Sequence, residues 1–260
     1  MGSVTYRDGI AIIQIIIFPM ILAGAVRIWR RMGWNAAAHS WRFVVTLSLL
    51  RITGSIFTLL TISHESHSIV IGEAVCELIG IAPLLLTYVG LLGQIDTNHI
   101  ISPKSLHGVA ITGFVGLVLG IAGISMTDDT KGPFHANGVV MGAMGTFIAV
   151  FVIFTVQAVY LAIKMRSTVN RAQKKLFLAV GLSWPFLLVR LVYSSIGDFS
   201  NDARFAILTG DATIYLCMDV LEEIAAMALC VFFGLSALLQ EEPKLVADYD
   251  FTSQMETTKV

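Results

Sequence analysis

Seven stretches of this 260-residue chain are apolar and long enough to cross a lipid bilayer as helices, which takes about 20 residues. They lie at about residues 9–29, 41–62, 69–95, 107–126, 137–163, 175–197 and 212–239. The charged share is 13%, against about 25% in soluble domains. Within lipid, a helix satisfies its own backbone polar groups. The sequence therefore predicts an all-α membrane protein, a bundle of seven transmembrane helices over residues 1–240.

The basic residues predict the orientation of this bundle. The first, third and fifth connections carry ten Lys and Arg residues, whereas the other three carry two, Lys131 and Arg204. Cytoplasmic loops hold the excess of Lys and Arg. We therefore expect a lumenal N-terminus, a cytosolic C-terminus and a multi-pass protein of the endoplasmic reticulum. Residues 241–260 hold five acids around Pro243 and are predicted to form a disordered acidic cytosolic tail.

Ionisable side chains inside the predicted helices are the main functional signal. They are the acids Glu73, Glu77, Asp219, Glu222 and Glu223 and the cations Arg51 and Arg190. Each such group costs about 2.5–3.5 kcal/mol at the bilayer centre, so the seven should face one another or an internal cavity. The acids within each helix are three or four residues apart, a spacing that places them on one face. With the predicted orientation, a single polar cavity on the lumenal side would satisfy all seven.

The acids outnumber the basic groups, because two arginines can neutralise only two of the five. Surplus buried acids keep their protons, since desolvation disfavours the charged form. This excess favours proton chemistry or proton movement. The alternative is that the two arginines only hold helices together by pairing with acids.

Aromatic side chains near the expected cavity could stabilise a cation. Tyr193 follows Arg190 by three residues, and Tyr215 precedes Asp219 by four. Trp184 lies in the sixth predicted helix, beside Pro185. These rings would suit a carbocation or a quaternary amine, or would serve only as packing. The sequence has no phosphate-binding loop, dinucleotide fingerprint or zinc-protease motif. We therefore expect no metal, no cofactor and no nucleic-acid partner, membrane lipid as the surroundings, and no obligate protein partner.

Four segments resemble a family of small fungal seven-helix integral membrane proteins. They are residues 31–34 (RMGW), 51–55 (RITGS), 81–92 (IAPLLLTYVGLL) and 184–193 (WPFLLVRLVY). Some similar fungal proteins are membrane-bound meroterpenoid terpene cyclases. The resemblance implies a cyclase of secondary metabolism, with Glu77 and Asp219 as its pair of catalytic acids. The other three acids within the predicted helices are further candidates.

The implied reaction fits the acids predicted in the bundle. Such a cyclase protonates an epoxide or olefin of a hydrophobic prenylated aromatic or polyketide substrate. It needs a carboxylic acid kept protonated in an apolar site and a water-poor cavity that shields the cation. The rival class is a proton-coupled transporter or a receptor-like seven-helix protein without enzymatic activity, since buried acids serve proton relays equally well.

Overall fold

The computed structural model describes residues 5–32, 39–62, 67–126, 137–165, 170–200, 203–205 and 210–257. Within these ranges the chain is helical and contains no strand. The first helices are α1 (Tyr6–Met32), α2 (His39–Thr61), α3 (His67–Ile79), α4 (Ile81–Ile95), α5 (Pro103–Ser125), α6 (Gly138–Lys164) and α7 (Arg171–Phe199). After a short 3₁₀ turn (Ala203–Phe205) come α8 (Ala212–Tyr215), a π-helical turn (Leu216–Val220) and α9 (Leu221–Thr257).

Six helical segments are long and apolar enough to cross a membrane. They are Tyr6–Met32, Ser40–Thr61, Val75–Ile95, Pro103–Ser125, Gly138–Lys164 and Arg171–Phe199. The seventh apolar stretch, predicted at 212–239, corresponds to α8, the π turn and the first part of α9. The all-α membrane class is therefore confirmed, with six to seven helices that can span. The orientation of the termini and the organelle stay predictions.

The third predicted helix, 69–95, is divided at Gly80 into α3 and α4. Gly80 leaves room for two guanidinium groups, because a Cβ there would stand 3.0 Å from Arg51 Nη2 and 3.3 Å from Arg190 Nη2. Pro83 follows in the first turn of α4, where its missing N–H removes no helical hydrogen bond. Helix α4 is the centre of the bundle. It packs against α2, α5, α6 and α7, and twelve of its 15 residues are buried.

Hydrogen bonds define which helix ends lie together. Arg7 Nη2 at the start of α1 donates to the carbonyl oxygen of Gly210, just before α8, over 3.0 Å. Asn137 Nδ2, which caps α6, donates to the carbonyl oxygen of Gly123 near the end of α5 over 2.7 Å. We call this side the N-terminal end of the bundle. It holds the starts of α1, α3, α6 and α8 and the ends of α2, α5 and α7.

Close packing joins α1, α2 and α9 near the opposite end. The indole ring of Trp41 on α2 is buried against Gly234 on α9. A Cβ at Gly234 would overlap that ring and would lie 3.1 Å from Ile28 Cδ1 on α1. The missing side chain at Gly234 is therefore what lets the three helices approach.

Helix α9 runs past the domain boundary predicted at residue 240. Its backbone is helical to Thr257, where the sequence analysis predicts a disordered tail. The residues after Pro243 include neither glycine nor proline, the strongest helix breakers, so nothing in them stops the helix. The cytosolic location of this segment stays a prediction.

Candidate functional site

Five charged side chains meet in the interior of the bundle. They are Arg51 (α2), Glu77 (α3), Arg190 (α7), Asp219 (π turn) and Glu223 (α9), and we call them the charge cluster. Glu223 is 0% exposed, each arginine 2% and Asp219 3%. The sequence prediction of one shared polar site is therefore correct for these five residues.

Arg51 contacts all three acids of the charge cluster. Its Nε donates to Glu223 Oε1 over 2.7 Å and its Nη2 to Glu223 Oε2 over 2.5 Å, a two-pronged pairing. Its Nη1 donates to Glu77 Oε2 over 2.8 Å, and Nη2 lies 3.4 Å from Asp219 Oδ2. The planar guanidinium has five donors in a fixed fork, which is why one arginine can hold three carboxyls.

Arg190 completes the charge cluster from α7. Its Nη1 pairs with Asp219 Oδ1, and its Nε lies 3.2 Å from Glu223 Oε2. Asp219 and Glu223 therefore each bridge both arginines, whereas the ion pair of Glu77 is with Arg51. With all five groups ionised, the charge cluster would carry a net charge of −1.

Local helix geometry selects which acids of the seventh segment enter the charge cluster. Asp219 and Glu223 are one turn apart and face the arginines. The side chain of Glu222 points about 100° away from that of Glu223 around the helix axis, since a helix has 3.6 residues per turn. Its Oε2 is buried and makes no hydrogen bond within the described residues. The expectation that all three acids share one site is therefore wrong for Glu222.

A small polar pocket opens beside the charge cluster at the N-terminal end of the bundle. Its polar lining residues are Arg7, Gln14, Thr58, Glu73, Glu77 and Tyr215. The Tyr215 hydroxyl donates to Glu77 Oε1 over 2.5 Å. Glu77 thus belongs both to the charge cluster and to the polar pocket, and 12% of its side chain is exposed.

Glu73 lies in the polar pocket, one turn of α3 from Glu77. Thr58 Oγ1 on α2 donates to its Oε1 over 2.9 Å. In the part of the chain that the structure describes, Glu73 makes no ion pair with either arginine of the charge cluster. Arg7 lies over the ring of Tyr215, 5.3 Å from its centroid, and so places a positive charge at the same pocket.

The remaining aromatic candidates have different positions. Tyr193 is buried next to Tyr215 in a small apolar cluster, and its ring centroid is 6.0 Å from that of Phe205. Trp184 is not at the site. Its Nε1 donates to Thr155 Oγ1 over 3.1 Å, and its ring stacks on Phe151. Trp184 precedes Arg190 by six residues, which turns it to another side of α7.

Four residues that shape the site were not predicted from the sequence: Gln14, Ser55, Thr58 and Gly80. Thr58 and Gln14 line the polar pocket, and Gln14 Oε1 accepts a hydrogen bond from Ser55 Oγ over 2.7 Å. Ser55 and Thr58 follow Arg51 by four and seven residues, so the helical repeat of α2 could have placed them on its face. Gly80 gave no signal, because small residues are common throughout the apolar segments. No group of three or more potential metal ligands occurs among the described residues.

Comparisons with known proteins identify the family. A family model described as a domain of unknown function, DUF7702, matches residues 4–241. The chain therefore belongs to that family. No curated protein and no solved structure matches it significantly.

Proposed function

We propose that this member of the DUF7702 family is an integral membrane enzyme of the terpene-cyclase type, which protonates a hydrophobic substrate. The composition of the charge cluster is the observation that supports this most. It has three carboxyls and two guanidiniums, all buried or nearly so. In this proposal one of the three carboxyls holds a proton, because an uncompensated negative charge away from water is costly. A protonated acid beside a pocket is what an acid-initiated reaction requires.

Glu77 is the proton donor in this proposal. Asp219 and Glu223 each contact both arginines, and neither lines the polar pocket. Glu77 pairs with Arg51 and also faces the polar pocket, where a substrate can reach it. Tyr215 orients the carboxyl by its hydrogen bond to Oε1. Asp219 then acts as a positioning residue, since it holds Arg51 and not the substrate.

The proposed reaction is an isomerisation in which the enzyme ends as it began. The proton of Glu77 moves to the epoxide oxygen or olefin carbon of a prenyl chain, and the C–O or π bond opens to a cation. Ring closure moves the positive charge along the chain, and loss of a proton to the Glu77 carboxylate ends it. The Tyr215 ring at the pocket can stabilise the intermediate cation.

In this proposal the substrate is a hydrophobic prenylated aromatic or polyketide molecule. The polar pocket is small, so only the reacting end of that molecule would reach Glu77. The apolar remainder would lie in the bilayer. Fungal secondary metabolism in the endoplasmic reticulum is the setting we infer for this chemistry.

One observation favours a rival function, a proton-coupled transporter or a receptor-like protein. Glu73 and Glu77 lie one turn apart and both line the polar pocket. Two carboxyls in series between a pocket and a buried cluster could pass a proton inward. In that case replacing Glu73 would reduce transport as much as replacing Glu77. A cyclase would instead lose more activity when Glu77 is replaced.

Product analysis distinguishes the two. Microsomes from cells that express the full chain would be given prenylated phenols and their terminal epoxides, and products separated by mass spectrometry. A cyclase yields an isomer of unchanged mass, and an olefin-initiated reaction in D₂O adds one deuterium. Absence of any isomer, together with uptake of a solute driven by a pH gradient into proteoliposomes, would establish the transporter instead.

A further inference from the structure

A second cavity lies at the end of the bundle opposite the polar pocket. It is enclosed by α1, α2, α4, α7 and α9, has a volume of about 190 Å³ and shares no lining residue with the polar pocket. Benzene binds in a closed apolar cavity of about 150 Å³. The space is therefore large enough for a ligand built on one substituted ring. We call it the indole cavity, after Trp41, which lines it together with Ile28, Leu176 and Gly234.

The indole cavity is apolar inside and polar at its mouth. Ile28 is 0% exposed and Trp41 1%, whereas Thr97 and Asn170 are exposed at helix ends. None of the described lining residues carries a charge. Because burying an ion without a partner is costly, this lining favours a neutral and largely apolar ligand.

Trp41 carries a buried hydrogen-bond donor that the protein does not use. Its Nε1 makes no hydrogen bond within the part of the chain that the structure describes. The two glutamines of the lining, by contrast, have partners. Gln94 Nε2 donates to Ser40 Oγ over 3.1 Å, and Gln173 Nε2 donates to Thr97 Oγ1 over 2.9 Å. A buried indole N–H usually has an acceptor, since leaving it unpaired costs its full desolvation.

The edge of the indole that carries this donor lies against the cavity wall. A Cβ at Gly234 would stand 2.7 Å from Trp41 Cζ2. In an indole ring, Nε1 and Cζ2 are bonded to the same carbon, so the N–H lies beside this contact. Gly234 lines the cavity and has no side chain that would cover the ring edge. An acceptor on a ligand at this part of the wall is therefore next to the unused donor.

We propose that the indole cavity binds a neutral cyclic molecule with a carbonyl or ether oxygen, and that this oxygen accepts a hydrogen bond from Trp41 Nε1. An indole N–H can only donate, so the ligand has to supply an acceptor. The ring of the ligand contacts the hydrophobic wall that Ile28 and Leu176 form. The site is separate from the proposed cyclase reaction, because none of its lining residues belongs to the charge cluster or to the polar pocket.

Photolabelling of the full chain in membranes tests the site. One probe is an aryl diazirine with an acetyl group. The other is the same diazirine with an isopropyl group, which has a similar shape but no acceptor. Labelled peptides are mapped by mass spectrometry and corrected for the partition of each probe into the membrane. The acetyl probe should label the peptides that contain Leu176 and Leu238, two lining residues, about tenfold more, as one hydrogen bond allows. Equal labelling by the two probes would overturn the proposal.

Replacing the donor tests the hydrogen bond itself. Trp41→Phe removes the N–H and should lower labelling by the acetyl probe to the level of the isopropyl probe. Trp184→Phe is the matched control, because the Nε1 of Trp184 donates to Thr155 and lies outside the indole cavity. That variant should keep the tenfold preference. A preference that persists in Trp41→Phe would overturn the proposal.

Filling the space tests the cavity. Ala172 lines it, so Ala172→Leu should abolish labelling of the same peptides by both probes. Ala122→Leu makes the same change at an exposed position on α5 and should leave labelling intact. If Trp41→Phe does not accumulate in membranes, Ala172→Leu still decides, because undiminished labelling of that variant would refute the site.

Discussion

The hydroxyl of Tyr215 donates a 2.5 Å hydrogen bond to Glu77 Oε1, and this contact joins α8 to α3. It lies where the polar pocket meets the charge cluster, since both residues line the pocket. The other oxygen of the same carboxyl accepts from Arg51. Glu77 is therefore fixed from two sides while it still faces the pocket.

Removing the Tyr215 hydroxyl should impair the protein in a specific way. We expect Tyr215→Phe to lower product formation about tenfold and stability by about 1–3 kcal/mol, because Glu77 loses a buried hydrogen-bond donor. Tyr193→Phe is the control. Tyr193 is also buried, but its hydroxyl makes no hydrogen bond among the described residues. Equal effects of the two variants in the product assay and in thermal unfolding would contradict a role for this contact.

Replacing the proposed proton donor should remove activity without removing the protein. Glu77→Gln keeps the shape of the side chain but cannot donate a strongly acidic proton, so we expect a loss of about 10²–10⁴ in rate. Glu222→Gln makes the same change outside the charge cluster and should leave the rate within about twofold. Immunoblots of the microsomes would verify equal amounts. Full activity of Glu77→Gln would eliminate it as the donor.

The buried arginines should be coupled to their acids. Arg190→Leu leaves Asp219 with less compensation, and we expect a loss of about 3–5 kcal/mol in detergent stability. Adding Asp219→Asn should recover part of that loss, because the uncompensated charge is removed with its partner. Thermal unfolding of the two single variants and the double variant forms a mutant cycle. Strictly additive effects would show that the pair makes no energetic contribution.

Two glycine-to-alanine substitutions should have opposite effects on stability, because Gly80 is closely approached by other groups and Gly181 is not. Gly80→Ala would place a methyl group 3.0 Å from Arg51 Nη2, and a guanidinium fixed by three acids cannot move aside. We expect a loss of about 1–3 kcal/mol, as for overpacking. Gly181→Ala on α7 meets nothing within 4 Å and should gain up to about 1 kcal/mol. A stabilising Gly80→Ala would mean that the cluster tolerates displacement.

The orientation of the termini can be tested directly. A glycosylation reporter fused after Val260 should stay unmodified if the C-terminus is cytosolic, as the ten basic residues of the alternate connections predict. The same reporter placed before Tyr6 should be modified. The reverse pattern would invert the topology and place the polar pocket on the cytosolic side.

The charge cluster was largely predictable, because placing ions in lipid is costly and helical spacing is regular. Glu77, Asp219 and Glu223 meet Arg51 and Arg190 as that argument requires. The sequence could not show that Glu222 lies outside the charge cluster. Residues three and four positions apart both share a helix face, and only the position of the contacting partner distinguishes them. The break at Gly80 could not be predicted for another reason. A glycine in an apolar segment indicates a close approach only when the groups that approach it are known.

Asp198 shows how a small error at a helix end can change where a residue is expected to lie. A predicted end at residue 197 left this acid in a loop, where an ionised carboxylate needs no explanation. The helix continues two residues further, to Phe199, and Asp198 is buried in the bundle. Contacts between facing small residues, such as Gly120 and Ala143, depend on helix pairing and therefore have no signature in one sequence.

The contact between Trp41 and Gly234 has a consequence for how this family can change over time. Because the indole ring occupies the space that a side chain at Gly234 would need, the two positions cannot vary separately. A lineage that acquires a larger residue at the second position must already have lost the ring at the first. Among relatives the two sites should therefore be inherited as one unit, and a tryptophan paired with anything larger than glycine should be selected against.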